Sequence, residues 1–341
     1  MIDIDGSYGE GGGQILRTSL ALSTLLQRPV RIFNIRAKRP KPGLSNQHLA
    51  CIRALKMIAK AEVKGAKLGS TEIEFYPSKV SGGEYKIDIG TAGSISLVLQ
   101  ALSLPCAFAK EKVKIKVRGG TDVAWSPPID YVKNVAFEVL RKIGFKAELE
   151  VHARGYYPKG GGYVEVEFYP TTKLTGRVIE RGKLTRICGI AHSLNLPCHI
   201  VERIAKAVKR VIDCEIELEC NKNFSTGVGV TLWANFEGSV LGSSSLGVKG
   251  KPAEKVGKEA ALALKEEISS GASLDIHMAD QIVPFLAIAS GHSEFTVRKI
   301  TQHLKTNIYI VEHIVGNKFE IEKENNLYRI STKGVEIQGF T

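Results

Sequence analysis

The chain has 341 residues, of which 43% are hydrophobic, so it is long enough to form two domains with their own cores. Its formal net charge is +12 at pH 7, which favours a polyanionic partner such as nucleic acid. The first residues show neither the basic region nor the apolar core of a signal peptide, and no apolar run has the length that crosses a membrane. These features predict a soluble, cytoplasmic protein with no membrane partner.

The cysteines do not predict a metal site. They are Cys51, Cys106, Cys188, Cys198, Cys214 and Cys220. None has the Cys-x-x-Cys spacing of a zinc ligand pair, so buried thiols are the default expectation. A disulfide among the last four remains open, because intracellular proteins of hyperthermophiles can contain them.

The first predicted elements are a short strand, a glycine-rich turn and an apolar helix. Residues 6–17 read Gly-Ser-Tyr-Gly-Glu-Gly-Gly-Gly-Gln-Ile-Leu-Arg. Unpaired backbone N–H groups at a helix N-terminus favour an anion, although this segment lacks the Lys-Ser/Thr of a P-loop. Glu10 fits a phosphate site only if a divalent cation lies between carboxylate and phosphate. The sequence favours phosphate binding slightly over a plain strand-to-helix turn.

An internal repeat organises the rest of the chain. The tetrapeptide Glu-Phe-Tyr-Pro occurs at 74–77 and at 167–170, and each copy ends an alternating strand. Helical patterns precede the copies at 46–60 and 128–143, and each follows an apolar helix and a β-branched strand. One unit is therefore helix, strand, helix and then strands.

The C-terminal part repeats this order a third time, after an unlike segment. That segment contains a predicted strand at 185–191, a helix at 199–213, a strand at 215–219, a Gly/Ser-rich turn at 238–250 and a helix at 253–267. We expect an α+β fold whose large domain consists of three repeated α/β units with a smaller α/β domain inserted. The predicted bounds are 1–177 and 276–341 for the large domain, about 1–80, 81–177 and 276–341 for the repeats, and 178–275 for the insertion.

Each repeat carries unusual polar residues where a helix begins. They are Glu10, Gln14 and Arg17 in the first repeat, Gln100 in the second, and His277, Asp280 and Gln281 in the third. If the three units pack around a pseudo-symmetric centre, these helix ends converge on one cleft.

Residues 36–48 form a basic segment stiffened by Pro40 and Pro42. Arg36 and Arg39 suit contacts with a phosphate backbone. The alternative of equal weight is a solvated basic loop.

His303 lies just ahead of a predicted helix at 306–315, with Thr306 as the expected N-cap. The positive end of a helix favours neutral imidazole, the form that attacks phosphorus. Without further support a lone histidine is usually structural, and this is the reading for the other histidines considered, which are His48, His192, His292 and His313.

Two loops combine aromatic and turn residues. In 119–128, Trp125 and Pro127 form either a nucleobase slot or ordinary packing. The same alternatives hold for 156–162, where tyrosines, a lysine and flexible glycines follow one another.

Taken together, these motifs resemble the RNA 3′-terminal phosphate cyclase family. They are Gly6-x-Tyr-Gly-Glu-Gly-Gly-Gly-Gln-Ile-Leu-Arg17, Arg36-x-x-Arg39-x-x-Pro-Gly43, Gln47-His48, Gly119-Gly-Thr-Asp122, Pro158-x-Gly-Gly-Gly162, Ala279-Asp-Gln281 and His303-x-x-Thr-Asn307. The resemblance runs from end to end, including the inserted domain, and indicates the catalytic branch from an archaeal or thermophilic source.

The resemblance implies an ATP-dependent enzyme that converts an RNA 3′-terminal phosphate to a 2′,3′-cyclic phosphodiester. It also implies repeats shaped like the C-terminal domain of bacterial translation initiation factor three. In this family a histidine, here His303, attacks the α-phosphate of ATP, releases pyrophosphate and forms covalent histidine–AMP. The AMP then moves to the RNA 3′-phosphate, and the neighbouring 2′-OH attacks that phosphate and expels AMP.

The same resemblance implies roles for individual residues. Glu10 would hold Mg²⁺ or Mn²⁺, and Arg36 and Arg39 would bind the RNA terminal phosphate. The ATP-binding set would be Gln14 and Arg17 at the triphosphate, Gln47 and Gln100 in the pocket, Pro127 and His277 beside the adenine, and Asp280 and Gln281 near His303.

Two alternatives remain at this stage. The same fold family includes a non-catalytic branch that acts in ribosome assembly, and the net charge equally allows a plain RNA-binding protein. The presence of His303, Glu10, Arg17 and Asp280 favours the enzyme. The sequence leaves open the RNA substrate, the preferred metal, a homodimer and the role of the inserted domain.

Overall fold

The computed structural model describes residues 1–337. Within this range four small mixed sheets, each of four strands, pack with helices. The prediction of a mixed α+β fold is confirmed.

The first sheet comes from the first 76 residues. Its elements are β1 (Ile2–Asp5), α1 (Gly13–Leu26), β2 (Val30–Phe33), α2 (Asn46–Ala59), β3 (Glu62–Lys64) and β4 (Ile73–Tyr76). The strand order is β1-β2-β4-β3, with β1 and β2 parallel and the other pairs antiparallel. Helix α1 therefore crosses over between two parallel strands.

The second sheet repeats this arrangement. Its elements are β5 (Gly83–Asp88), α3 (Ile95–Ala107), β6 (Val113–Gly119), α4 (Ile129–Tyr131), a π-helical turn (Val132–Ala136), α5 (Phe137–Arg141), β7 (Ala147–Ala153) and β8 (Gly162–Phe168). The order is β5-β6-β8-β7, again with one parallel pair. The helix predicted at 128–143 is thus a continuous helical segment with a π-turn in its middle.

The next elements form a separate sheet after the short strand β9. They are β9 (Leu174–Thr175), β10 (Leu184–Leu194), α6 (Cys198–Lys209), β11 (Glu215–Asn221), β12 (Gly227–Phe236), β13 (Val240–Leu246) and α7 (Ala253–Ser270). Strands β11-β10-β12-β13 form this sheet, and α6 and α7 pack on it around a core of their own.

The predicted Gly/Ser-rich turn at 238–250 is wrong over β13, which is a paired strand. Small residues stand there because neighbours approach closely: a Cβ on Gly242 would lie 2.6 Å from the ring of Tyr131. The hydroxyl of Ser243 donates to the carbonyl of Ala260 at 2.8 Å. The small residues of this segment therefore reflect close packing in a strand, and the turn predicted from composition was wrong there.

The last sheet contains β14 and the C-terminal hairpin. Its elements are α8 (Met278–Leu286), β14 (Ala289–Val297), α9 (Gln302–Val315), β15 (Phe319–Glu324) and β16 (Leu327–Gly334). The order is β15-β16-β14-β9, and the short strand β9 is parallel to β14. Three of the four sheets therefore follow the chain order β-α-β-α-β-β. The predicted repeat and insertion bounds stay predictions, and residues 338–341 of the third repeat lie outside the described residues.

Helix α9 begins earlier than the sequence predicted. Its N-cap is Thr301, whose hydroxyl oxygen accepts from the backbone N–H of Leu304 at 3.0 Å. Thr306 lies inside the helix and donates to the carbonyl of Gln302 at 2.7 Å. His303 is therefore in the first turn of α9 and not ahead of it.

Helix α1 lies at the centre of the large core. It packs against α2, α3 and α9, and α8 packs against α9. Because α1 is surrounded, almost every residue from Gln14 to Leu25 is buried. The N-terminal ends of α1, α8 and α9 meet as a result, and this meeting point forms the site described below.

All six cysteines are free thiols. Cys51, Cys106 and Cys214 are buried as expected, whereas Cys198 is exposed. In the described part of the chain, no helix has the length and apolar character needed to cross a membrane.

Candidate active site

A cavity of about 740 Å³ opens where the N-terminal ends of α1, α8 and α9 meet. Its lining includes every residue that the sequence analysis assigned to a site: Glu10, Gln14, Arg17, Arg36, Arg39, Gln47, Gln100, Pro127, His277, Asp280, Gln281 and His303. The structure therefore brings these residues together, while their roles stay predictions. The volume is in the range of small-molecule and cofactor sites.

His303 reaches the cavity from the first turn of α9 and is hydrogen-bonded to Gln14 at the start of α1. The side-chain oxygen of Gln14 contacts Nδ1 of the imidazole. An amide oxygen only accepts hydrogen bonds, so Nδ1 carries the proton. This tautomer leaves the lone pair on Nε2 of His303 free to act as a nucleophile.

The surroundings of His303 keep its ring neutral. Partial burial in the cavity wall lowers the pKa of His303 below its ordinary value, Glu10 opposes that shift, and Arg17 reinforces it. The sequence analysis attributed a neutral ring to the helix end, whereas burial is the largest cause in the structure. Neutral imidazole is the nucleophilic form.

The glycine-rich turn lets α1 begin against a histidine. A Cβ on Gly13 would lie only 2.1 Å from Nε2 of His48, so no side chain fits there. His48 also closes a capping box with Ser45 at the start of α2. Burial lowers the pKa of His48 to about 3, which keeps it uncharged. The structural reading of His48 holds, although the ring also lines the cavity.

Arg17 and Asp280 face each other across the cavity floor without forming a close ion pair. Burial lowers the pKa of Arg17, and within residues 1–337 its Nε has no hydrogen-bond partner. Burial, with Asp275 nearby, raises the pKa of Asp280 to about 8, while Arg17 lowers it. An incompletely paired guanidinium in a low-dielectric wall is suited to an anionic ligand.

A chain of hydrogen bonds joins the three helix ends. Thr18 on α1 donates to the side-chain oxygen of Asn307 on α9 at 2.7 Å. The amide of Asn307 donates to the backbone carbonyl of Asp280 on α8 at 2.6 Å. These contacts fix the spacing between His303 and the cavity floor.

Two glutamines line the wall formed by α2 and α3. Gln47 makes two bonds with the backbone of Ser94, donating to its carbonyl at 3.1 Å and accepting from its N–H at 2.6 Å. The amide of Gln100 donates to Gln281 at 3.1 Å, and Gln281 donates to the carbonyl of His277 at 3.0 Å. This wall is polar but uncharged.

The predicted metal and RNA-phosphate residues lie at the rim. Arg39 contacts the carboxylate of Glu10 at 3.4 Å, and both side chains reach solvent. Arg36 has a φ of +56° and donates to the carbonyl of Gly43 at 2.9 Å. Both arginines are thus presented to the cavity by a tightly turned loop.

Glu10 is suited to bind a metal ion that is also coordinated by the phosphates of a ligand. Within the described residues, it is not part of a metal site built from protein ligands alone. Magnesium is often held by one or two carboxylates together with phosphate oxygens and water. In the described residues, the one cluster of three potential ligands is Asp122, Asp130 and His192, and none of these lines the cavity.

That cluster belongs to a buried polar group that we call the inner network, made of Asp122, Asp130, Arg154, Tyr156 and His192. Arg154 contacts Asp130 at 2.7 Å and Asp122 at 3.5 Å. Its guanidinium already supplies the positive charge between the carboxylates, so a metal ion has no electrostatic reason to bind there.

Asp275 does not line the cavity but binds two residues that do, Tyr131 and His277, and the sequence analysis missed it. Its buried carboxylate accepts from the hydroxyl of Tyr131 at 2.7 Å and from the N–H groups of Gly242, His277 and Met278 at 2.9 to 3.0 Å. It thereby ties the start of α8 to β13 and α4. Asp275 lies two residues ahead of His277, the N-cap of α8, and an aspartate just before a helix was the available signal.

Among the other lining residues, Trp125 had been considered for a nucleobase slot, Gly12 and Gly13 belong to the predicted phosphate-binding turn, and His48 had been read as structural. The lining residues without any assigned role were Leu97, Ser126, Pro128, Tyr131 and Ser244. Ser244 comes from β13, so the region around 184–270 contributes directly to the cavity. The wrongly assigned turn at 238–250 concealed this contribution.

Comparisons with known proteins identify the family of this chain. The sequence profile of the family described as RNA 3′-terminal phosphate cyclase matches residues 8–321. A protein named RNA 3′-terminal phosphate cyclase from Archaeoglobus fulgidus is 50% identical and aligns over 95% of this chain and 99% of its own. Proteins of the same name from Methanopyrus kandleri and Pyrococcus furiosus are each 49% identical, over 94% of this chain and 95% of theirs.

Among solved structures, the enolpyruvyl transferase NikO from Streptomyces tendae aligns with 96% of this chain and 47% of its own. The TM-score is 0.35 and the identity is 11%. The profile match and the archaeal relatives are decisive: the chain belongs to the RNA 3′-terminal phosphate cyclase family.

Proposed function

We propose that this protein uses ATP to convert the 3′-terminal phosphate of an RNA to a 2′,3′-cyclic phosphodiester. The observation that carries the proposal is the neutral His303, held by Gln14 with Nε2 free, in a cavity of nucleotide size. The names of the relatives support the same activity.

The first step would join AMP to the protein. Nε2 of His303 attacks the α-phosphorus of ATP, the bond to the bridging oxygen breaks, and pyrophosphate leaves. Arg17, which lacks a full set of partners, offsets negative charge on the phosphates. The N-terminal ends of α1 and α9 add positive potential at the same place.

The second and third steps would act on the RNA. A 3′-phosphate oxygen attacks the phosphorus held by His303 and takes over the AMP. The neighbouring 2′-OH then attacks the RNA phosphorus and expels AMP. Arg36 and Arg39 at the rim are placed to hold the terminal phosphate during these steps.

A divalent ion, Mg²⁺ or Mn²⁺, would bind Glu10 and the phosphates of ATP and would neutralise charge that develops on pyrophosphate. Pro127 and His277, which line the cavity beside the edge-on ring of Tyr131, would flank the adenine. All these residues come from one chain, so this chemistry does not need a homodimer.

We also propose that the sheets β1–β4, β5–β8 and β9 with β14–β16 are copies of one unit, and that the sheet formed by β10–β13 is the inserted domain. Their common order of strands and helices supports this, as does a separate core for residues 191–264. Each copy would then be shaped like the C-terminal domain of bacterial translation initiation factor three.

Covalent labelling tests the first step. Protein incubated with α-labelled ATP and Mg²⁺ or Mn²⁺ should acquire acid-labile, base-stable label, as expected for a phosphoramidate. His303→Ala should lose the label by at least about 1000-fold, since no other group forms the bond. His313→Ala is the matched control, because His313 lies on the same helix but outside the cavity lining, where it contacts the carbonyl of Asp3 and stacks on Tyr309.

A labelled RNA with a 3′-phosphate tests the complete reaction. Cyclisation should make the end resistant to phosphatase, with AMP and pyrophosphate as products. The non-catalytic alternative predicts neither label nor resistant ends. If the protein is labelled by ATP but the RNA ends stay sensitive to phosphatase, the histidine chemistry would be supported and an RNA 3′-phosphate would be excluded as the substrate.

A further inference from the structure

Exposed aromatic side chains are rare in this protein and are concentrated on neighbouring loops. Among residues 1–337, only Tyr8, Trp125, Tyr157 and Phe224 are exposed aromatics. Trp125 is fully exposed, and Tyr157 and Phe224 are 74% and 63% exposed. Clustered apolar surface of this kind marks an interaction site more often than chance exposure.

Backbone contacts bring the loops of these residues together. An isolated bridge pairs Asp122 with Tyr156, which places the turn of Trp125 beside the loop of Tyr157. The N–H of Tyr156 donates to the hydroxyl of Ser225 at 2.8 Å, which places Tyr157 beside Phe224. The loops that carry Trp125, Tyr157 and Phe224 are therefore neighbours, and we call these three residues the aromatic rim.

Buried contacts anchor the loops of the aromatic rim. The inner network anchors both loops: Arg154 binds Asp130 with its two terminal guanidinium nitrogens, and the hydroxyl of Tyr156 contacts His192. Trp125 has a φ of +68°, a conformation that non-glycine residues rarely adopt and that is often found at functional sites. Loops anchored in advance lower the entropy cost of ordering the backbone when a planar ligand stacks on their rings.

The chemistry of the rim fits nucleic acid. The ammonium of Lys159 lies 5.4 Å from the ring centre of Phe224, and Lys222 is exposed two residues before that ring. A cation beside an aromatic face is the combination that binds the phosphate and base of one nucleotide. Trp125 continues the rim into the cavity, whose lining it shares with Pro127.

We propose that Tyr157, Phe224 and Lys159 form a stacking subsite for the single-stranded bases that precede the RNA 3′ end, with Trp125 between this subsite and the cavity. This inference rests on the proposed function, since it places the terminal phosphate at the cavity. It assigns a task to the segment that carries Phe224, namely to hold unpaired RNA without reading its sequence.

The test compares two kinds of 3′-phosphorylated hexanucleotide by fluorescence anisotropy. One carries all its bases, and the other is abasic at the three positions before the terminal nucleotide. Tyr157→Ala combined with Phe224→Ala should weaken binding of the intact RNA by about 5- to 100-fold and leave the abasic RNA unaffected. Leu262→Ala is the matched control, because Leu262 is an exposed apolar residue on α7.

Three results would overturn the subsite. They are equal affinities of wild type and double variant for the intact RNA, an equal loss on both RNAs, and no binding of the intact RNA by wild type. After the first or the third result, the aromatic rim would be interpreted as a binding site for a protein partner.

Self-adenylylation separates this inference from the proposed function. It needs no RNA, so the double variant should match wild type in labelling with ATP. If wild type fails to label, the proposed function falls, and the anisotropy comparison still decides the subsite.

Discussion

Two polar groups in this protein contain the same residue types and differ in what surrounds them. The cavity holds His303, Arg17 and Asp280, and the inner network holds His192, Arg154 and Asp130. Each histidine has a pKa lowered mainly by burial. A search by residue type alone selects the inner network as a metal site, because its carboxylates and imidazole lie close together.

The difference lies in how far the charged groups are already paired. Arg154 contacts Asp130 and Glu219 at 2.7 Å each and lines neither of the two cavities that Arg17 lines. The inner-network atoms without a hydrogen-bond partner in the described residues, Oδ1 of Asp122 and Nε2 of His192, also lie outside both cavity linings. Arg17 borders open volume and has a nitrogen without a partner in the described residues. A functional site is therefore recognised by unpaired groups beside open space and not by its inventory of residues.

The largest expected effect comes from removing the two arginines in turn. Arg154→Met should lower the free energy of unfolding by about 3–5 kcal/mol, because it leaves buried carboxylates without a cation. Arg17→Met should change stability far less, since no close ion pair is lost, but it should suppress labelling by ATP. Urea unfolding and label incorporation measure both. Equal losses of stability in the two variants would show that Arg17 is as strongly paired as Arg154, contrary to the difference described here.

A smaller effect should appear in the acid dependence of stability. The folded-state pKa of His192 is lowered to about 3, below its unfolded value near 6.5. Between these values the unfolded chain binds a proton that the folded chain excludes, so stability falls as pH decreases from 6.5. The His192 contribution to this slope is at most about 1.4 kcal/mol per pH unit.

His192→Gln should remove that part of the slope, as measured by urea unfolding at pH 5 and pH 7. The hydroxyl of Tyr156 keeps an acceptor in this variant, which makes it a conservative replacement. An unchanged slope would mean that other groups set the acid limit.

The smallest effect concerns His303 and activity. Because its pKa is lowered, the imidazole of His303 becomes protonated at a lower pH than an ordinary histidine does. The initial rate of self-adenylylation should therefore fall by less than about twofold between pH 8 and pH 6.5, the fall expected of an unshifted histidine. A midpoint above pH 6.5 would contradict the surroundings described for this ring.

Periodic elements were predictable from sequence, and the contacts between them were not. The apolar pattern located α1, α2, α3 and α9, because buried helix faces repeat every three to four residues. The start of α9 was misplaced because Thr301 and Thr306 are both suitable caps, and only the tertiary contacts select between them.

The site shows the same limit. Motif residues such as Glu10 and His303 were named in advance, and the structure brings them to one cavity. Asp275 and Ser244 were not, since their importance arises from segments that meet only in the folded protein. A single sequence does not show which distant segments come into contact, and an aspartate ahead of a helix was the one local signal.

The hydrogen bond between Gln14 and His303 spans 289 positions in the chain. A ribosome adding about 5–20 residues per second needs roughly 15–60 s to make the second residue after the first. Throughout that interval the glycine-rich turn exists without His303. If the proposed adenylylation holds, a growing or shortened chain that lacks His303 cannot carry it out, and labelling by ATP would report that synthesis has passed helix α9.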